Sequence, residues 1–154
     1  MSTEIERKFL VVDDAWRAGA APVHYCQGYL STAKSATVRV RVASDAGYLT
    51  VKGSTIGVSR SEYEYEIPVD DARYMLEALC RKPIIDKHRS CIEFAGMTWE
   101  VDEFHGANDG LIVAEVELER EDQPIELPPW VGEEITEDRR YRNAKLAAQP
   151  SRES

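Results

Sequence analysis

Thr37-Val38-Arg39-Val40-Arg41-Val42 alternates strictly between an apolar, β-branched residue and a polar one. On a strand, side chains two apart share a face and stand about 6.7 Å apart, so the three valines lie on one side and Thr37, Arg39 and Arg41 on the other. A helix would scatter both sets, and valine suits a pleated surface. The same period of two recurs near residues 3–12, 24–31, 36–43, 47–53, 60–69, 86–94, 97–104 and 111–119, which predicts about eight strands. Gly47, Gly53, Gly57, Gly96 and the stretch Gly106-Ala-Asn-Asp-Gly110 supply short turns, so neighbouring strands are expected to be mainly antiparallel.

Helices are expected to be few. Asp70 or Asp71 is placed to cap a helix whose Ala72, Met75, Leu76 and Leu79 form one apolar stripe, and Pro83 discourages helix at Lys82. Shorter helical segments are expected around Trp16 and from about Thr136 to Ala147, with a proline-rich connection from Pro124 to Trp130. The fold class is therefore α+β and mainly antiparallel β. No repeat or flexible linker interrupts the 154 residues, so 1–154 read as a single domain with a frayed tail at 150–154.

Sorting the strands by face gives rows of charge. Glu4, Glu6 and Lys8 share a face, as do Arg39 and Arg41, and Lys52 follows on the next strand. Glu62 aligns with Glu64 and Glu66, Lys87 with Arg89, Glu100 with Asp102, and Glu115 with Glu117 and Glu119. A solvated face ordinarily mixes signs to gain cross-strand pairs, whereas most strands here present one sign. Two carboxylates about 6.7 Å apart repel by about 0.6 kcal/mol in water and about 2.5 kcal/mol at an effective dielectric near 20. Rows turned inward therefore need bound counter-ions. Carboxylates suit a hard divalent cation such as Mg²⁺ or Mn²⁺, and the basic rows suit a polyanion.

Lys8, Arg39, Arg41, Lys52, Lys87 and Arg89 provide six cations, enough with metal to neutralise a linear triphosphate. A charged lumen requires a closed sheet, and about eight strands is a common size for a barrel that holds a small ligand. Net charge of -9 and a pI near 4.9 argue against a nucleic-acid or membrane partner. Three separated cysteines without a CxxC pair read as reduced thiols, so the expected location is cytoplasmic. No secretory leader or membrane-spanning run is evident, and the sequence leaves the oligomeric state open.

Glu4-Ile-Glu6-Arg-Lys8 resembles the ExExK signature of the CYTH superfamily, the triphosphate tunnel metalloenzymes. Arg39-Val-Arg41, Lys52, Ser59-Arg-Ser-Glu62-Tyr-Glu64, Lys87-His-Arg89, Glu115-Val-Glu117 and Gly132-Glu-Glu-Ile-Thr-Glu-Asp-Arg-Arg-Tyr141 follow in family order. The resemblance implies an eight-stranded tunnel, dependence on a divalent metal and action on triphosphates. The chain looks like short bacterial members that convert inorganic tripolyphosphate to pyrophosphate and phosphate.

On this resemblance Glu4, Glu6 and Glu117 are the core metal ligands, with Glu62, Glu64, Asp102 and Glu115 in the same acidic set. The six cations grip the phosphates, and Tyr29, with Lys8 beside it to favour its ionised form, is the proton acceptor. Glu66 and Glu119 extend beyond the matched pattern and are expected at the rim or in solvent. The same fold serves class IV-type adenylate cyclases, which need an adenine-reading feature not evident here, and thiamine triphosphatases, which act on an organic triphosphate. A polyphosphate-binding module without activity could dispense with part of the acidic set. His88 is expected to face outward, while His24 and His105 lack partners at ligand spacing, so no catalytic histidine is expected. Trp16, Trp99 and Trp130 are expected to pack.

Overall fold

The computed structural model describes residues 2–142 and residue 146. Its strands are β1 (Ser2–Val11), β2 (Val23–Ala33), β3 (Ala36–Ala43), β4 (Ala46–Lys52), β5 (Ser59–Ile67), β6 (Ile85–Phe94), β7 (Met97–His105), β8 (Ile112–Glu117) and β9 (Val131–Glu134). They form one antiparallel sheet in the order β5-β4-β3-β2-β6-β7-β8-β1-β9. A further pairing of β5 with β1, from Ser2 opposite Glu62 to Ile5 opposite Ser59, brings the sheet round into a ring of eight strands.

The ring has the expected eight strands, and β9 is an addition to it. β1 pairs with β5 only through residue 5, and farther along the same edge Phe9 and Val11 pair with Glu134 and Val131 of β9. Four residues after Trp130 are too few to show a period, and their role depends on an edge that β5 has left. β1 is thus covered on this side by two strands in succession.

The ring carries much of its apolar core on its outside. Phe9, Trp99, Val101, Ala114 and Val116 face outward from β1, β7 and β8 and are covered by Trp16, from a 3₁₀ turn at Ala15–Gly19, and by Trp130 of the proline-rich connection. A second outer cluster places Val40 beneath Ala72, Leu76 and Cys80. Ala72 and Leu76 belong to α1 (Val69–Ala78), the expected helix, whose N-cap position falls on Pro68, with no side-chain cap, and not on Asp70 or Asp71. The two aspartates lie in its first turn, where their charge favours the helix N-terminus. A third cluster, including Leu10, Tyr29, Ile85, Phe104 and Val113 with Ile135, fills part of the interior.

Residues 136–138 do not form the expected helix; a short 3₁₀ turn follows at Arg139–Tyr141. Residues 143–145 and 147 of that expected helix, and the tail at 150–154, lie outside the described residues. Among the described residues no helix is long and apolar enough to cross a membrane.

Candidate active site

The polar faces of the strands meet inside the ring around a cavity of about 700 Å³. Register explains the convergence. Glu6 stands opposite Glu117 and Lys8 opposite Glu115 on β1 and β8, while Arg39 stands opposite Thr50 and Lys52 opposite Glu62 on the far wall. Among the described residues, nine lysines and arginines and seven glutamates line the cavity.

Of the residues singled out from sequence, Glu4, Glu6, Lys8, Tyr29, Arg39, Arg41, Lys52, Glu62, Glu64, Arg89, Glu115 and Glu117 reach this lining. Lys87 and Asp102 do not. They are fully buried behind it, with Lys87 Nζ donating to Asp102 Oδ2 at 2.7 Å. Asp102 also accepts from Arg89 Nε at 2.7 Å and Nη2 at 2.9 Å, a fork that aims the guanidinium. Burial opposes the Asp102 charge, but Arg89 and Lys87 outweigh it and hold the carboxyl below its usual range. Burial pushes Lys87 down to about 8 despite Asp102.

The carboxylates differ in how far nearby cations offset their burial. Arg41 Nη2 and the Thr50 hydroxyl donate to Glu64 Oε1 at 2.7 and 2.9 Å, and Lys52 Nζ donates to Glu4 at 3.0 Å. Glu115 lies 3.7 Å from Lys8 Nζ; burial works against its charge, but Lys8, Arg89 and Lys87 win and hold it well below the ordinary range. Glu6 is the opposite case. Burial, reinforced by the charges of Glu115 and Glu4, drives its carboxyl up to about 8 against the pull of Lys8 and Lys52. Glu4 and Glu117 are also raised, in each case chiefly by burial. A cluster that resists its own negative charge, built from oxygen donors alone, matches the chemistry of a hard divalent cation.

The basic wall has the complementary property. Arg41 is lowered by burial and by the nearby charges of Arg39 and Arg89. Arg39 Nε and Arg41 Nε are buried with no hydrogen-bond partner among the described residues. Tyr25 packs against two of these guanidiniums, with Arg41 and Arg89 each 5.1 Å from its ring centroid. Crowded cations with unused donors favour an anion with several oxygens.

Several lining residues escaped the sequence reading. Arg60 shares its strand face with Glu62 and Glu64, so the same alternation could have found it. Lys34 comes from the turn between β2 and β3, where no strand period applies. Arg139 and Arg142 come from the turn after β9, where no strand period applies. Glu100, on the strand face it shares with Asp102, also lines the cavity and accepts from Arg89 Nη1 at 3.0 Å.

The histidine expectation needs correction. His24 Nε2 lies 2.8 Å from Asp86 Oδ1, and His88 Nδ1 lies 2.8 Å from His105 Nε2, so neither His24 nor His105 is isolated. Sequence distance hid these pairs, because β2, β6 and β7 bring them together only in the sheet.

Residues 2–147 match the CYTH domain model. An inorganic triphosphatase of Acetivibrio thermocellus is 53% identical over 150 residues, covering 97% of this chain and 96% of that protein. An inorganic triphosphatase of Nitrosomonas europaea is 39% identical over 149 residues, covering 94% and 97% respectively. A solved inorganic triphosphatase structure superposes with a TM-score of 0.68 at 37% identity, covering 96% of this chain and 95% of that one.

Proposed function

Because the chain belongs to the CYTH family, we propose that it is a phosphohydrolase that cleaves a linear triphosphate, inorganic tripolyphosphate, to pyrophosphate and phosphate with the aid of Mg²⁺ or Mn²⁺. One observation carries this reading: a single cavity joins an all-oxygen acidic cluster, with Glu6 raised to about 8, to a crowd of guanidiniums with unused N–H groups. Similarity to inorganic triphosphatases over nearly the whole chain supports the same substrate.

Glu4, Glu6 and Glu117 would hold the cation, with Glu62, Glu64 and Glu115 near it; Asp102, saturated by Arg89 and Lys87, acts instead by aiming Arg89. When bound, the cation supplies positive charge to phosphate oxygens and offsets the charge that develops during transfer. The chain's own part is to bind and orient. Arg39, Arg41, Lys52 and Arg89 grip the phosphate oxygens through charge-assisted bonds, and Lys8 beside Glu115 adds a buried cation. Water attacks a terminal phosphorus, the bridging P–O bond breaks and pyrophosphate leaves, and Tyr29, buried at the edge of the apolar cluster and on the cavity wall, takes the water's proton at its oxygen when it stands as the phenolate. The three free cysteines support a cytoplasmic location.

The deciding experiment is a product assay with Mg²⁺ across tripolyphosphate, ATP, thiamine triphosphate and pyrophosphate. Tripolyphosphate should turn over fastest, releasing one phosphate per molecule, and ATP should give no cyclic AMP. Cyclic AMP as the main product without tripolyphosphate hydrolysis would instead make the protein a cyclase. Binding of tripolyphosphate without turnover of any substrate, with either Mg²⁺ or Mn²⁺, would make it a binding module.

A further inference from the structure

The outer wall of the ring brings together side chains that the lumen chemistry does not use. His24 and Cys26 are two apart on β2 and share its outward face, while their cross-strand partners on β6 are His88 and Asp86. His24 Nε2 lies 2.8 Å from Asp86 Oδ1 and 3.5 Å from Cys26 Sγ, and one donor atom from each of the three residues falls within 4.8 Å of the others. The His88 ring is 4.9 Å from that of His24 and 4.9 Å from that of His105. All 3 histidines of the chain thus meet on one patch.

We propose that His24 Nε2, Cys26 Sγ and a carboxylate oxygen of Asp86 form a binding site for a transition-metal ion of the Zn²⁺ class, separate from the cation site in the lumen. A tetrahedral zinc centre with ligands at about 2.0–2.3 Å has donor-to-donor edges of about 3.3–3.6 Å. The observed spacings bracket those edges, so side-chain rotation alone closes the set. Adjacent strands fix the backbone beneath it.

Chemistry separates the two sites. The lumen offers only oxygen, which suits Mg²⁺ or Mn²⁺, whereas a sulfur and an imidazole beside one carboxylate select a softer ion. His88 Nδ1 faces His105 Nε2 at 2.8 Å, which leaves His88 Nε2 as the nitrogen available for a fourth position. Burial and the Asp86 charge hold the Cys26 thiol above its ordinary range, so coordination must release the Cys26 proton to solvent. A thiophilic metal does this readily; Mg²⁺ does not. The patch is partly exposed, so an ion can reach it from solvent.

Cobalt provides a probe that distinguishes the sites, because a near-ultraviolet sulfur-to-metal charge-transfer band requires a thiolate ligand. Protein in excess Mg²⁺, which occupies the lumen carboxylates, is titrated with Co²⁺. The wild type and Cys91→Ser should develop the band with one equivalent, Cys26→Ser should lack it, and His24→Ala should bind Co²⁺ at this site roughly tenfold or more weakly. Tripolyphosphate hydrolysis with Mg²⁺ should stay within about twofold of wild type in Cys26→Ser and His24→Ala, a change below about 0.4 kcal/mol. A wild type without the band, a band that survives Cys26→Ser, or an unchanged Co²⁺ affinity in His24→Ala would each overturn the proposal. If Cys26→Ser fails to fold, the His24→Ala titration alone decides.

Discussion

At the scale of single residues, the site depends on how its charges are paired, and Glu6 and Arg89 mark the extremes. The Glu6 carboxyl is raised to about 8, so between pH 5 and 8 the metal-free folded protein holds a proton that the unfolded chain releases. Stability without metal should therefore fall as pH rises across this window; Glu4, Glu100 and Glu117 push the same way. Glu115 has the reverse sign, but its contribution is present above the unfolded carboxylate range and is lost only below that window. Urea midpoints in EDTA should be higher at pH 5.5 than at pH 8, and Glu6→Gln should flatten the slope while abolishing hydrolysis. An equal slope in both proteins would place Glu6 in a solvated environment. Arg89 is held by Asp102 and Arg41 by Glu64, so Arg41→Ala and Arg89→Ala should each weaken tripolyphosphate binding by about 10- to 100-fold in calorimetric titration, the worth of a charged hydrogen bond. Glu119→Ala, outside the cavity lining, should change it little. Twelve of the singled-out residues reach the cavity because strand alternation is set locally. Saturation of Asp102 by two cations could not be read, since it depends on three side chains from β6 and β7 meeting away from solvent.

At the scale of the element, α1 shows how an outer helix sets the cavity wall. It packs on β3 and β4, whose opposite faces carry Arg39, Arg41 and Lys52. Gly47 makes the close approach possible: a methyl group there would stand 2.8 Å from Ala72 Cβ and 3.1 Å from the Ile67 carbonyl oxygen. Gly47→Ala should cost about 1–3 kcal/mol through this overlap and lower the melting temperature by several degrees, as a thermal scan would show. A melting temperature equal to wild type would mean the helix shifts freely. The apolar stripe of α1 was legible from its spacing, whereas its cap was not: two adjacent aspartates at the start looked like caps, and Pro68 took that position instead. Along β2 alternation served as far as Tyr29 and failed for Thr32, which lines the cavity beyond the register shift, because an inserted residue reverses face parity without leaving a composition signal.

At the scale of the whole molecule, an enzyme carrying a net charge of -9 takes up an anionic substrate through a cavity whose lining cations outnumber its carboxylates. Arg60, Arg139 and Arg142 crowd one another, and Arg142 is lowered chiefly by burial and then by the other two charges. Such a group acts on approach as well as on grip. Arg142→Glu should therefore reduce kcat/KM for tripolyphosphate more than kcat, with the deficit shrinking as salt is added; a matching loss in both at every ionic strength would count against steering. The ring was legible from inward-facing rows of like charge, but the succession of β5 and β9 along β1 was not, since it is a property of long-range pairing. That succession has a bearing on truncation. The Lys8 carbonyl accepts from Ile135 N at 2.8 Å, and Val12 N donates to the Trp130 carbonyl at 2.9 Å, so a chain ending before Trp130 would leave the far half of β1 with a bare hydrogen-bonding edge. Such an edge invites strand addition by another copy, and the shortened chain should elute on size exclusion as dimers or larger assemblies where the full chain does not form them through this edge.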